Sequence, residues 1–222
     1  MRAATRDRWF PLTVLVVALS LLLGSIVWVA NGITAGPGWG GAAPGAGPIR
    51  DAGGAWRAAQ RVANGWGLRV HEVMQFTNGY YAQLVDGSGR GATEVLINPD
   101  DGTVQVEWGP AMMWNTRFGM HPARQQVAVI GSQEARGIAD RWLNENEPGL
   151  RAGEAEAFPG YFTLHTMRKG EIVGMLSVQA SSGAVWYHTW HGRFVRMLEE
   201  GASDPHGHDP GGRNAASTVA AM

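Results

Sequence analysis

Cysteine, a cluster of positive charge and two hydrolase motifs are missing from this chain of 222 residues, and each absence excludes a class of site or partner. The chain has no cysteine, which excludes disulfides, thiolate metal sites and a cysteine nucleophile. Its net charge is −1, and no cluster of lysine and arginine provides the positive surface that nucleic acid requires. The H-E-x-x-H and G-x-S-x-G motifs of hydrolases are also absent. We therefore expect a non-catalytic protein whose partners do not include nucleic acid.

A long uncharged stretch lies near the N-terminus. Residues 11–30 carry no charged side chain, and a helix of that length rises about 30 Å, the thickness of a bilayer's hydrocarbon core. No charge follows before Arg50, and three arginines come before the stretch: Arg2, Arg6 and Arg8. The positive-inside rule then predicts a cytoplasmic segment over residues 1–9 and a transmembrane helix over residues 10–33, with the bulk of the chain extracytoplasmic. A cleaved signal peptide is the alternative, but its apolar stretch is usually only about 7–15 residues.

Glycine, alanine and proline dominate one further stretch, and glycine, alanine, histidine and aspartate another. The first covers residues 34–50, where the composition indicates a flexible linker between membrane and domain. The second covers residues 201–222, which we expect to form a disordered tail. His206 and His208 lie in that tail, and a mobile segment makes a poor specific metal site because ordering it costs entropy. We therefore expect the folded part of the chain between these two stretches.

The stretch between the linker and the tail contains the same pattern twice. Apolar residues recur at helical spacing over residues 55–63 and again over 135–143, so each copy begins with an amphipathic helix. A strand follows and arrives at an aromatic pair, after which a hairpin turns at a glycine. Two pairs of residues mark a common offset of 81 positions: Tyr80 with Tyr161, and Gly102 with Gly183. Each copy therefore predicts one helix and three strands, which makes the expected fold class α+β.

Residues 95–104 read Val-Leu-Ile-Asn-Pro-Asp-Asp-Gly-Thr-Val and form the predicted hairpin of the first copy. The first copy resembles a PepSY domain, the small unit of peptidase propeptides and many bacterial envelope proteins. The resemblance lies in a helix, a strand that begins with an aromatic pair, and a hairpin of the form V-x-(I/V)-(D/N)-x-x-(T/D)-G-x-V. The second copy lacks the acidic residue before its turn but keeps Gly183 and Val185. The resemblance implies two PepSY-like units, residues 51–122 and 123–200, with a helix packed on an antiparallel sheet. It also implies an extracytoplasmic binding or inhibitory role, and it carries over no catalytic residue.

Methionine and histidine are concentrated in a five-residue insertion and in the residues that follow it, which the second copy lacks. We call this stretch the methionine region. Thioether and imidazole groups suit Cu(I), so Met112, Met113, Met120 and His121 form a candidate copper site around Trp114. Methionine is also the ordinary filler of irregular cores and of apolar binding surfaces. Core or interface packing is therefore the alternative to copper binding.

His188 and His191 form an H-x-x-H pair in the second copy, a spacing that can chelate a metal from a helical turn. Residues 186–191 read as a strand, however, and residues three apart in a strand point to opposite faces. We therefore expect that the two imidazoles cannot share an ion unless the chain bends at Gly192. The alternative to a metal site is a half-exposed strand whose aromatic residues cover the sheet.

A W-x-x-R-F motif occurs in both copies after the predicted hairpin. It contains Trp114 and Arg117 in the first copy, and Trp190 and Arg193 in the second. The guanidinium could stack on the indole and dock the end of the strand against its own helix or the other copy. Because both copies have the motif, a structural role is expected, with a ligand site as the alternative. Together with Trp186, these residues make a candidate interaction surface in a chain that has ten tryptophans.

Three functions follow from these patterns. The first is a membrane-anchored extracytoplasmic module that binds or regulates another protein through a sheet edge or the tryptophan-rich surface. The second is metal handling, with copper as the expected ion, through the methionine and histidine residues. The third is an accessory subunit of an integral membrane complex. The expected partners are therefore the membrane and an extracytoplasmic or integral membrane protein.

Overall fold

The computed structural model describes residues 42–120 and 128–201 of the chain. Within these ranges the chain forms helices and antiparallel sheets, which confirms the α+β fold class. The predicted cytoplasmic segment 1–9 and the predicted transmembrane helix 10–33 lie outside the described residues, as does the predicted tail apart from Gly201. None of the helices in the described part of the chain combines the length and the apolar character needed to cross a membrane.

The first half of the described chain forms a helix and four antiparallel strands, one more strand than the sequence predicts. Asp51 caps the helix by accepting a hydrogen bond from the amide of Gly54 at 2.6 Å. The additional short strand follows the turn at Gly102, whose φ of 72° favours glycine. The elements of this half are α1 (Ala52–Gly65), β1 (Arg69–Phe76), β2 (Gly79–Val85), β3 (Gly91–Ile97), β4 (Val104–Val106) and the single-turn helix α2 (Pro110–Met113).

The second half repeats the helix and the four strands, has no counterpart of α2 among the described residues, and ends with one further strand. Gly183 turns the chain before the short fourth strand with a φ of 73°, nearly the value at Gly102. The elements of this half are α3 (Ser132–Asn146), β5 (Arg151–Phe158), β6 (Tyr161–Arg168), β7 (Glu171–Gln179), β8 (Val185–Tyr187) and β9 (Phe194–Glu199).

The strands form two antiparallel sheets, and one strand from the second half of the chain belongs to the first sheet. The first sheet has the order β4-β3-β2-β1-β9, and the second has the order β5-β6-β7-β8. Strand β9 therefore comes from the second half of the chain but pairs with β1, for example through Met197 opposite Met74. The sequence pattern did not predict this crossover, in which hydrogen bonds between β9 and β1 join the two halves of the chain.

The end of the predicted linker is attached to the first sheet. Ala43 forms an isolated bridge with Val104, with amide-to-carbonyl distances of 2.7 Å and 3.1 Å, and the Ile49 amide donates to the Pro99 carbonyl at 2.7 Å. A flexible linker over all of residues 34–50 is therefore wrong for its last part, residues 42–50, because the β3–β4 hairpin supplies partners for its backbone.

Each sheet covers its own helix with one face. Along β2, Tyr80, Ala82 and Leu84 join the core beneath α1, and the side chains between them point to the opposite face. The second sheet forms a separate core with α3 in the same way. The two opposite faces pack against each other, as the shared cluster of Tyr81 and Met175 shows. The layers are thus helix, sheet, sheet and helix.

The layer between the two sheets contains many buried polar side chains. They are 0–3% exposed and come from both sheets and from the segments that follow β4 and β8: Glu72, Gln83, Glu94, Glu107, Asn115, Thr163, Ser177 and His188. Buried polar groups cost free energy unless they are hydrogen-bonded or paired. We call this set of residues the inter-sheet layer. It contains most of the buried polar and charged side chains of the described residues.

Candidate metal centre

The ends of the two short strands meet in the inter-sheet layer. Glu107 follows β4 and His188 follows β8, and the two residues are 81 positions apart, the same offset that relates the two glycine turns. Their backbones are held alike, because the Glu107 amide donates to the Glu94 carbonyl at 2.9 Å and the His188 amide donates to the Met175 carbonyl at 3.1 Å. The two halves therefore bring a carboxylate and an imidazole together from corresponding positions.

Glu107, His188 and His191 form a compact group of possible metal ligands, which we call the ligand triad. One ligand atom from each of the three lies within 4.8 Å of the other two. The Nδ1 atom of His188 is 3.3 Å from Oε1 of Glu107, and both of these side chains are fully buried. Imidazole nitrogen and carboxylate oxygen are common ligands of divalent transition metals.

The expectation that His188 and His191 point to opposite faces is wrong. Strand β8 ends at Tyr187, and the chain turns over residues 188–193, so the two imidazole rings come within 5.5 Å of each other. The turn is held by the first half of the chain. The Asn78 side chain donates to the carbonyl of Trp190 and accepts from the amide of Gly192, both at 2.7 Å.

A chain of hydroxyl groups orients the imidazole of His188. Its Nε2 atom is 3.0 Å from Oγ of Ser177, which is in turn 3.0 Å from Oγ1 of Thr163. With Nε2 engaged, Nδ1 is the nitrogen that faces Glu107. Metal-bound histidines characteristically use their second nitrogen in such a hydrogen bond.

One buried side-chain atom of each triad residue has no hydrogen-bond partner in the described part of the chain. These atoms are Oε1 of Glu107, Nδ1 of His188 and Nε2 of His191. The other oxygen of Glu107, Oε2, accepts a hydrogen bond from the amide of Ala111 at 3.3 Å. Buried acceptors that face each other need a proton or a cation between them, since leaving them unpaired costs about 1–3 kcal/mol each.

Burial sets the charges of the triad in the absence of a cation. It raises the pKa of Glu107 well above its usual value, and the nearby charge of Glu94 adds to that shift. It also lowers the pKa of His188 well below its usual value and that of His191 to about 4. In the absence of a cation, burial therefore favours the neutral form of each of the three groups, and a bound cation would displace the proton of Glu107.

A second buried carboxylate lies beside the triad. The hydroxyl of Tyr161 donates to Oε2 of Glu94 at 2.7 Å, and the hydroxyl of Tyr81 donates to Oε1 of the same group. Burial raises the pKa of Glu94 to about 7, although both of these hydrogen bonds favour the ionised form. The charge of Glu94 acts on Glu107, so the two buried carboxyl groups interact electrostatically, although Glu94 does not belong to the triad.

Aromatic side chains enclose the triad. The Trp190 ring stacks on His188 with centroids 4.6 Å apart, and Phe76 stacks on His191 at 4.2 Å. Trp186 meets both Trp190 and Trp114 edge to face, at 6.3 Å and 5.6 Å. The three tryptophans predicted as an interaction surface therefore come together, but mainly on one another and on the triad.

The glycine at position 109 allows this tryptophan packing. Gly109 has a φ of 91°, and a Cβ atom there would lie 2.9 Å from Cε2 of Trp186. A side chain would therefore both strain the backbone and displace the indole. The chain beyond Glu107 can approach the second half only because position 109 has no side chain.

The two arginines of the W-x-x-R-F motifs do not stack on the motif tryptophans as predicted. The Arg117 guanidinium lies over the Phe118 ring, 5.0 Å from its centroid. Arg193 is fixed by its backbone, since its amide donates to Oγ1 of Thr77 at 3.0 Å. Both residues line clefts at the surface instead.

The predicted copper residues are only partly described. Met112 packs beside the buried cluster of Val106 and Tyr161, and Met113 is 49% exposed. The amide of Met120 donates to the Met112 carbonyl at 2.8 Å, which places their backbones side by side. His121 lies outside the described residues. A copper site formed by these four residues stays a prediction.

The sequence reasoning missed Glu107 and Glu94. A signal for Glu107 was present, because the 81-residue offset aligns it with His188, but no local motif surrounds it. No protein-family model matches the chain, and searches of the curated proteins and of the solved structures also gave no match. The site is therefore interpreted from its own geometry.

Proposed function

We propose that this protein binds a divalent transition-metal ion through Glu107, His188 and His191. Two observations carry the proposal: one ligand atom from each of the three residues lies within 4.8 Å of the other two, and each residue has a buried nitrogen or oxygen without a hydrogen-bond partner in the described residues. A cation would satisfy all three atoms at once. The hydrogen bond between Nε2 of His188 and Ser177 holds the imidazole in its orientation, as such a bond characteristically does for metal-bound histidines.

The ligand set indicates the kind of ion. Two imidazoles and one carboxylate suit borderline ions such as Zn²⁺, Co²⁺ and Cu²⁺, whereas Cu(I) prefers sulfur ligands. Ionised Glu107 and Glu94 together would balance the charge of a dication in this buried place. The primary proposal is therefore divalent metal binding, and Cu(I) binding by the methionine region is a separate hypothesis.

The proposed setting is a pair of PepSY-like units held outside a membrane by an N-terminal anchor over residues 10–33. The shared order of one helix and four strands in both halves, and the similar φ values at Gly102 and Gly183, support the proposal that the two units arose by duplication. Because the triad takes ligands from both halves, we propose that the metal joins the units and that the protein binds and does not catalyse.

Partner binding in the envelope is a second candidate function. It is favoured by three apolar side chains that remain exposed beside the tryptophan cluster: Trp108 at 53%, Met113 at 49% and Trp186 at 37%. Extraction of the full chain in mild detergent and native mass measurement would test it. A stoichiometric partner would support an accessory subunit of a membrane complex, and its absence would contradict that function.

A competition titration of the full chain with a chromophoric chelator tests metal binding. We expect one tight Zn²⁺ site in the wild type, weakened more than about tenfold in Glu107→Gln and in His191→Gln, because ligands matter more than outer-shell groups. His71→Gln is the matched control, since His71 is exposed and lies outside the triad. Replacing His206 and His208 in all proteins removes weak tail binding from the signal.

Cobalt spectroscopy gives a second readout of the same site. Co²⁺ bound by the triad should give visible d–d absorption that Zn²⁺ displaces, and Glu107→Gln should alter that spectrum. The metal proposal is wrong if the wild type binds no ion tightly, or if it and both triad variants bind with equal affinity.

A further inference from the structure

A second site of different chemistry lies at the side of the inter-sheet layer. A cleft of about 630 Å³ opens between the first sheet and β5, and its size is typical of sites for small molecules. Apolar walls come from Val85, Phe158 and Pro159. Polar groups stand at separate places in the lining, which is the usual arrangement where a pocket fixes the orientation of a ligand.

Two of the charged groups in the cleft already neutralise each other. Arg90 donates to Asp86 at 3.2 Å, and Asp86 also accepts from the amide and the hydroxyl of Ser88. These three residues close the turn between β2 and β3 and leave little charge for a ligand. The remaining charged groups in the lining are Arg117 and Glu156, and the imidazole of His71 also lines the cleft.

Arg117 is a free cation on a fixed support. Its guanidinium lies over the Phe118 ring, and no carboxylate forms an ion pair with it in the described part of the chain. Its backbone is held by the buried Asn115, whose side-chain oxygen accepts from the Arg117 amide at 3.0 Å and whose amide group donates to the Ala92 carbonyl at 2.8 Å. The arginine is therefore presented to the cleft from a rigid turn.

Glu156 supplies the opposite charge on the other wall. It lies on β5 and is half-buried. Burial and the charge of Glu72 raise its pKa, whereas a hydrogen bond from the side chain of Gln83, which is only 1% exposed, favours its ionised form. Behind Glu156, Glu72 and His165 approach to 3.4 Å and keep this region polar.

The same motif lines a second cleft on the other half. Arg193, the counterpart of Arg117 in the W-x-x-R-F motif, lines a cleft of about 520 Å³ together with Glu171. The motif thus presents an arginine to a cleft beside a glutamate in both halves. This is a use of the motif that stacking on tryptophan does not explain, and it does not depend on the metal centre.

We propose that the cleft between the first sheet and β5 binds a small zwitterionic ligand, an amino acid or a short peptide, with its carboxylate on Arg117 and its ammonium group on Glu156. Guanidinium and carboxylate form paired, charge-assisted hydrogen bonds, and a carboxylate accepts from an ammonium group in the same way. The apolar walls accommodate the side chain of the ligand.

The test uses the full chain and isothermal titration with the twenty L-amino acids and with glycylglycine. We expect at least one of these probes to bind with a dissociation constant below about 1 mM. Arg117→Gln and Glu156→Gln should each weaken that binding about tenfold or more, the effect of losing one charge-assisted hydrogen bond. Arg193→Gln, which changes only the second cleft, is the matched control and should bind as the wild type does.

Blocked forms of the bound probe identify the contacts. The C-terminal amide of the probe should bind weakly to the wild type and no more weakly to Arg117→Gln, and the N-acetyl form should behave in the same way with Glu156→Gln. The proposal is overturned if no probe binds below about 1 mM, or if binding responds to only one of the two substitutions. Unchanged melting temperatures in the variants exclude misfolding as the cause of any loss.

Discussion

The protonation of Glu94 should make the stability of the metal-free protein depend on pH. Its carboxyl group is buried between the sheets, and burial raises its pKa from 4.5 to about 7. A carboxyl group with a raised pKa favours the folded state below pH 4.5, and this contribution is lost as the pH rises to about 7. The shift of about 2.5 pH units corresponds to on the order of 3 kcal/mol.

The substitution Glu94→Gln isolates this contribution. Glutamine has nearly the shape of the protonated acid and can still accept from Tyr161 or Tyr81, but it does not ionise. The histidines act in the opposite direction, because a lowered pKa such as that of His191 costs stability as the pH falls from 6.5 to about 4. That background is common to both proteins, so the difference between them reports on Glu94 and on the part of the Glu107 pKa shift that the charge of Glu94 causes.

Urea unfolding of both proteins, with a chelator present, measures this difference at pH 5 and at pH 8. We expect the variant to gain about 2.5 kcal/mol relative to the wild type between these two values, because part of the total effect already lies below pH 5. A saturating divalent metal should reduce the gain, because the ion stabilises the ionised carboxylate. A difference that stays constant with pH would refute the buried, neutral Glu94 on which the electrostatic account of the inter-sheet layer depends.

Three further predictions concern other parts of the molecule. Trp190→Ala should lower the unfolding free energy by about 3 kcal/mol in a denaturant titration, because the ring covers His188; unchanged stability together with the loss of a binding activity would assign the tryptophan to a ligand site. Asn78→Ala should cost about 2 kcal/mol through two lost hydrogen bonds, and Asn78→Asp, which keeps the acceptor for Gly192, should cost less in the same assay. If the methionine region binds Cu(I), uptake in a competition titration should disappear, with Zn²⁺ binding retained, when four residues are replaced together: Met112, Met113, Met120 and His121.

The local elements were predictable because each leaves a periodic or punctuated signal. Alanine spacing predicted α1 and α3, and the glycines at 102 and 183 marked turns that the structure places at φ near 70°. The short strands β4 and β8 were harder to predict from the sequence, since the alternation of three residues is too short to distinguish a strand from a loop. Strand β9 has a pattern of its own, but no local feature indicates that its partner is β1.

The inter-sheet layer shows why the site was harder to predict than the fold. Gln83 and Glu94 alternate with apolar residues, a pattern that normally indicates a solvated sheet face. Here the second sheet covers that face, so the polar side chains become buried and acquire shifted pKa values. Likewise, His188 and His191 share one side only because Asn78, more than a hundred residues earlier, holds the turn between them.

The amino-acid sequence by itself determined the α+β class, the helices, the glycine turns and the correspondence of Glu107 with His188. Those properties depend on neighbours along the chain, and periodicity reports them directly. Only the tertiary structure decided that the two polar sheet faces pack together, that β9 crosses to the first sheet, and that a carboxylate and two imidazoles meet. Distances between residues so far apart in sequence depend on how whole layers stack, and no local pattern encodes them.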